Sequence, residues 1–156
     1  MPETFLDAVA RDDALRKIVE TGVTSVGAQE GSLLLLEPTG LNLRFTVCCS
    51  PVADKLQGLQ QSVGDGISGL SFQMQQPMIV NDTQTDPAYD PHVDKQVGVV
   101  TTTIMVVPIA TPDEEFGVLT AINKPGGFSQ NDMNAYLDLT ETIAIALTAM
   151  EAKHAS

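Results

Sequence analysis

The sequence predicts an α+β fold. It reads as one six-stranded antiparallel sheet, with N- and C-terminal helices on one face and a ligand-pocket or lid segment on the other. Three observations predict it. The short apolar runs follow one another across turn residues instead of alternating with long helices, which favours hairpins over crossovers. Both ends of the chain carry apolar residues at helical intervals. Between them, residues 81–98 contain Pro87, Pro91, Tyr89, His92 and a series of aspartates. That stretch is too long for a plain connection, and such segments in compact domains are functional or conceal a short helix. At 156 residues the chain is expected to form a single domain, 1–156.

The elements follow in order. Within 1–29, Phe5, Val9, Leu15, Ile18, Val19 and Val26 predict one N-terminal helix over 4–29, weakened towards its end by Gly22 and Gly27. Residues 31–124 hold the sheet and the pocket segment. Residues 32–37 are too short for a helix and read as a strand buried on both faces; Pro38, Thr39 and Gly40 supply a turn. Residues 41–48 alternate apolar and polar and return as a hairpin partner. A third strand is expected over 59–63. Asp65 stands where it can cap a short helix with apolar positions Ile67, Leu70 and Met74, ended by Pro77. Residues 78–80, 101–109 and 116–123 supply three more strands. Ser129 opens a terminal helix over 129–153, where Tyr136, Leu139, Ile143, Ala146 and Met150 form an apolar stripe.

Charge and composition exclude several function classes. Eight Lys+Arg against twenty Asp+Glu give a net charge of −12, which repels phosphate backbones and argues against nucleic acid. No apolar run approaches the roughly 20 residues of a membrane span. The acidic N-terminus does not resemble a signal peptide. The two cysteines, Cys48 and Cys49, are adjacent, and strand neighbours point to opposite faces, which disfavours a bridge between them. These features point to the cytoplasm. There is no nucleophile–base pair, metal-ligand cluster or phosphate-transfer motif, so no enzyme activity and no metal site are expected.

Over nearly its whole length the chain resembles the GAF family of small-molecule sensory domains. The resemblance is carried by residues 32–36 with 43–47, by Val63-Gly64-Asp65-Gly66-Ile67-Ser68-Gly69, by residues 76–82, by Asp86-Pro87, by Val107-Pro108 and by residues 117–124. It implies a PAS-related, six-stranded sheet with paired terminal helices and a pocket on the opposite face. One stretch is sharper. GAF domains that bind cyclic nucleotides carry Asn-Lys, a gap, Phe, three residues and Asp-Glu. Here Asn123, Lys124, Phe128 and Asp132 match, and Met133 stands in place of the Glu. In those relatives the Lys and Asp resemble a structural clasp. Ser129 and Asp132 also form a capping box with Phe128 and Met133 as its hydrophobic staple.

The candidate ligand site comprises Ile67, Ser68, Asn81, Asp82, Tyr89, Thr102 and Thr103. A helix start at Ile67 and Ser68 offers free N–H groups and partial positive charge. The polar loop can close over a ligand, and the threonines offer hydroxyls. The expected ligand is a cyclic nucleotide or a small carboxylate metabolite. His92 as a haem ligand is weighed against an exposed loop histidine, and the latter is preferred. Bilin attachment would need a cysteine later than Cys49. The leading reading is a sensory domain signalling through its terminal helices. The alternatives are a ligand-free scaffold for dimerisation or protein interaction, and a thiol-based reductase. A homodimer is expected through residues 6–19 and 136–150.

Overall fold

A computed structural model describes residues 2–156; the initial Met1, part of the expected 1–29 unit, lies outside the described residues. The sheet has six strands in the order β3-β2-β1-β6-β5-β4, and every neighbouring pair is antiparallel. The strands are β1 (Glu30–Leu36), β2 (Asn42–Cys49), β3 (Gln60–Ser62), β4 (Met78–Val80), β5 (Ile104–Ala110) and β6 (Glu115–Ile122).

The expected single N-terminal helix is two: α1 (Phe5–Ala10) and α2 (Asp13–Val26). Asp12 causes the break. Its backbone is extended and its carboxylate accepts the Leu15 N–H at 2.9 Å, so a new helix starts there. Gly27, in the left-handed region at φ 75°, ends it. With α6 (Gln130–Ala155), these helices cover one face of the sheet. Leu33, Leu35, Met105, Val107, Leu119 and Ala121 look towards them and meet Val9, Leu15, Val19, Tyr136, Ile143 and Leu147.

The other face carries α3 (Ala53–Leu56), α4 (Gly66–Met74) and α5 (His92–Val97). Ile67, Phe72, Val93 and Val97 pack there against Leu34, Leu43, Phe45, Val106 and Val118. The alternation of strand side chains thus builds two cores from the same strands. The 81–98 segment contains a 3-10 turn at Thr83–Thr85 as well as α5, in keeping with its length.

Two bulges adjust which residues reach which face. Leu33 pairs with Val47 but Leu34 with Phe45, leaving Thr46 as an extra residue on β2. Phe45 therefore faces the α4 side while Val47 faces α2 and α6. A second irregularity, between Ile109 and Ala110, turns Phe116 to the terminal-helix side. Close approach needs glycine at Gly117, where a Cβ would come within 1.9 Å of the Leu34 carbonyl oxygen.

Three expectations at the element ends are corrected. Asp65 occupies the N-cap position of α4, but its side chain makes no capping bond and is exposed. Leu70 is half-buried and Met74 is exposed, because α4 turns Ile67 and Phe72 inward instead. Thr101, Thr102 and Thr103 precede β5 rather than start it, since Asp94 and Asn123 take the N–H groups of Thr101 and Thr102.

Candidate functional site

Glycine makes the α4 entry possible. The Gly69 Cα lies so near β3 that a Cβ there would sit 2.3 Å from the Ser62 carbonyl oxygen. The start of α4 is thereby pulled against the sheet, where it borders a cavity of about 70 Å³. Leu34, Phe45, Ile104, Thr120 and Ile122 form the floor; Gly66, Ile67 and Ser68 form one wall; Tyr89, Asp90, Val93, Asp94 and Thr101 close the other.

Asp94 organises that second wall. Its carboxylate accepts the Tyr89 hydroxyl at 2.5 Å, the Thr101 N–H at 2.8 Å and the Thr101 hydroxyl at 3.0 Å. Burial, reinforced by the neighbouring carboxylate, pushes the Tyr89 phenol up to about 12, so it stays a donor. The Thr83 hydroxyl donates to the Thr101 carbonyl at 2.5 Å and ties the 3-10 turn to the same point. Asp90 and Asp94 are the charged side chains lining the cavity; among the described residues no Lys or Arg lines it.

Of the residues the sequence proposed, Ile67, Ser68 and Tyr89 come together at the cavity. Asn81, Asp82, Thr102 and Thr103 do not line it. Asn81 instead grips the backbone of Phe128: its Oδ1 accepts the Phe128 N–H at 2.9 Å and its Nδ2 donates to the Phe128 carbonyl at 3.1 Å. Asp82 is exposed at the edge of the 3-10 turn. Thr102 donates its N–H and hydroxyl to Asn123 Oδ1, at 2.8 and 3.1 Å. The Thr103 hydroxyl accepts the Lys124 N–H at 3.0 Å. The reason is the late start of β5, which leaves Thr101, not its two neighbours, beside Asp94. Asp94 lies in no periodic segment and gave no signal of that kind, and Thr101, read as the first residue of the 101–109 strand, was left out of the candidate site in favour of its two neighbours. The string of aspartates four residues apart, from Asp82 to Asp94, was the available signal.

Residues 123–132 form a separate, structural cluster. Asn123 adopts φ 61°, which aims its amide back at Val100, Thr102 and Thr103. Lys124 Nζ donates to Asp132 Oδ2 at 2.6 Å, and the same oxygen accepts the Ser129 N–H at 2.8 Å. Burial opposes the Asp132 charge, but these donors outweigh it and hold the carboxyl below its ordinary value. Phe128 and Met133 are both buried beside this capping box. The cluster lies outside the cavity lining.

Neither cysteine is activated. Cys48 belongs to the core on the cavity side, while Cys49 packs on the terminal-helix side. Burial pushes the Cys48 thiol up to about 11 and raises that of Cys49. His92 is exposed, with its backbone N–H on Asp90, and does not line the cavity. Among the described residues no group of His, Cys, Asp or Glu is arranged to hold a metal ion, and no helix is long and apolar enough to cross a membrane.

Solved structures with this fold serve different proteins. The GAF domain of a phosphoenolpyruvate-protein phosphotransferase (ptsP) from Coxiella burnetii is 18% identical at a TM-score of 0.77, with 97% of this chain and 93% of that one covered. A free methionine-R-sulfoxide reductase from Neisseria meningitidis, solved in complex with its substrate, is 16% identical at 0.69, covering 96% and 87%. The second GAF domain of DevS from Mycobacterium smegmatis is 17% identical at 0.73, covering 91% and 97%. At such identities they establish the fold alone. The family model described as GAF domain matches residues 8–148. With that match over most of its length, and with the sheet order and terminal helices described above, this chain belongs to the GAF domain family.

Proposed function

We propose that this GAF domain is a sensory module that binds a small polar molecule between the sheet and the α4–α5 segment. It reports occupancy through its terminal helices and does so by binding rather than catalysis. The observation that carries this reading is the convergence of polar groups on one cavity. The amide end of α4 faces the Tyr89–Asp94–Thr101 cluster across an apolar floor. Thr120 supplies a route outward: its side chain lines the cavity, and its carbonyl accepts the Tyr136 hydroxyl of α6 at 3.3 Å.

Size and charge narrow the ligand. About 70 Å³ is well below the roughly 300–1,000 Å³ of drug-sized sites, so a cyclic mononucleotide enters only if the lid opens. Asp90 and Asp94 also repel its phosphate. A small carboxylate fits better. Its anion belongs at the Ile67 and Ser68 amides, and a donor at its other end belongs at Asp94. The raised thiols of Cys48 and Cys49 weigh against the reductase alternative. The small cavity volume is what favours the ligand-free scaffold.

A calorimetric and melting screen with small carboxylates, amino acids and cyclic mononucleotides tests this. A ligand that binds the native state raises the melting temperature. We expect a hit among the small molecules and its loss in Thr101→Val. No hit at millimolar concentration supports the scaffold. We also propose a homodimer through the terminal helices. The apolar residues within 6–19 and 136–150 pack on the chain's own sheet, so the contact must use the outward side of α6, where Leu137 and Ile145 are exposed. A monomer by light scattering at high micromolar concentration contradicts it.

A further inference from the structure

Residues 81–103, which carry α5 and close the cavity, leave the sheet after β4 and return to it at β5. Val80 and Ile104 are paired, so the two roots of this segment lie side by side. The loop from β6 to α6 fastens to both. At the returning root, Asn123 adopts φ 61°, a left-handed conformation that asparagine tolerates. Its Oδ1 accepts the Thr102 N–H at 2.8 Å and the Thr102 hydroxyl at 3.1 Å, while its Nδ2 donates to the Val100 carbonyl at 3.0 Å. These bonds fall on either side of Thr101, which gives its own N–H and hydroxyl to Asp94. At the departing root, Asn81 holds both backbone groups of Phe128, at 2.9 and 3.1 Å. Gly127 admits that contact: it sits at φ 88°, and a Cβ there would come within 2.8 Å of the Asn81 Cγ.

The same loop leads into α6. Phe128 is buried in the core of the terminal-helix side. Ser129 caps the helix, and Lys124 is bonded to Asp132 in its first turn. Two asparagine side chains therefore join both roots of a segment on one face of the sheet to the start of a helix on the other. The Lys124–Asp132 pair alone would hold only β6 to α6. Each asparagine makes more than one bond, which fixes orientation as well as distance. A root that moves must break these bonds or carry the loop with it.

We propose that residues 123–128 act as a strap, so that the 81–103 segment and the first turn of α6 open as one cooperative unit while the rest of α6 stays closed. The inference rests on the reading that a ligand closes that segment, and it locates where occupancy is reported: at residues 129–133, not along the whole helix. The two-state element is the latch at Asp94, either closed on Tyr89 and Thr101 or open.

The test is residue-resolved hydrogen exchange on the full chain at neutral pH, with no ligand added. Asp94→Ala opens the latch, and Thr101→Val loosens it. Asp94→Ala is expected to speed exchange about tenfold or more at the Asp132 and Met133 amides as well as in α5, with Ile143 and Leu147 unchanged; Thr101→Val moves the same amides by a smaller factor. Asn123→Gly keeps the left-handed backbone and deletes the amide, and with Asn81→Ala it frees both roots. In that background the latch variants are expected to act on α5 and no longer on α6. Asn123→Asp, which keeps an oxygen facing Thr102, retains the coupling. The strap is overturned if the latch variants leave Asp132 and Met133 unchanged, if they speed the whole of α6 equally, or if freeing both roots leaves the coupling intact. Should Asp94→Ala fail to fold, the Thr101→Val comparison decides between the same outcomes. Because no ligand is added, failure here removes the strap alone, whereas an empty binding screen removes the sensory reading alone.

Discussion

The two faces of the sheet are built differently from alternating residues of the same strands. On the terminal-helix side, Leu33, Met105 and Leu119 pack against Tyr136, Ile143 and Leu147, all at no more than trace exposure, and two of the three covering helices, α2 and α6, are long. On the cavity side the covering helices are short. Leu43, Val106 and Val118 are fully buried there too, but Tyr89, Leu59, Val63 and Met78 remain only partly buried, and a polar cluster of Tyr89, Asp94 and Thr101 borders this second core. The difference assigns the labour. On our proposal one face holds the fold, and the other, assembled from short pieces, opens locally at lower cost and answers to a ligand.

Matched truncations on the two faces have the largest expected effect. Ile143→Ala is expected to cost about 2–5 kcal/mol in urea unfolding, since the site is closed all round. Ile67→Ala borders an existing cavity and is expected at the bottom of that range; equal losses would break the distinction.

The clasp at the end of β6 comes next. Asp132→Ala removes a cap and strands Lys124, for an expected loss of roughly 1–3 kcal/mol. A double-mutant cycle with Lys124→Met should show coupling, and strict additivity contradicts the pairing. Because the Asp132 carboxyl is held below its unfolded value, its contribution is present above that value and disappears on acidification through the folded one.

Smaller still is Tyr89→Phe, at about 0.5–1.5 kcal/mol for one hydrogen bond to Asp94. It should move ligand affinity more than it moves the melting temperature. The smallest effect is a stabilisation. Glu114 has its pKa raised from 4.5 to about 7 in the folded protein, so stability falls as the pH rises across that window. Glu114→Gln should therefore raise the melting temperature at pH 8 and leave it nearly unchanged at pH 4.

The sheet and both cores were legible because strand alternation and the α6 stripe at Tyr136, Leu139, Ile143, Ala146 and Met150 are periodic signals. The bulge at Thr46 was not, since one extra residue reverses the facing of Phe45 and Val47 without changing the pattern's look. Asp12 was passed over as a helix start because apolar periodicity continues through it. At the site, the α4 entry and Tyr89 were readable from glycine spacing and loop chemistry. Asp94 and Thr101 were not, because only the folded 81–103 segment brings a carboxylate seven residues back onto a threonine backbone.

Native-state hydrogen exchange on the free protein tests the division between the faces most directly. Amides of α4, α5 and the 3-10 turn are expected to exchange through local openings well below the global unfolding energy, while those of β1, β5, β6 and the middle of α6 exchange only by global unfolding. Adding a ligand found in the screen should then slow the first group and not the second. Uniform protection across both faces, or slowing confined to the terminal helices, would contradict it.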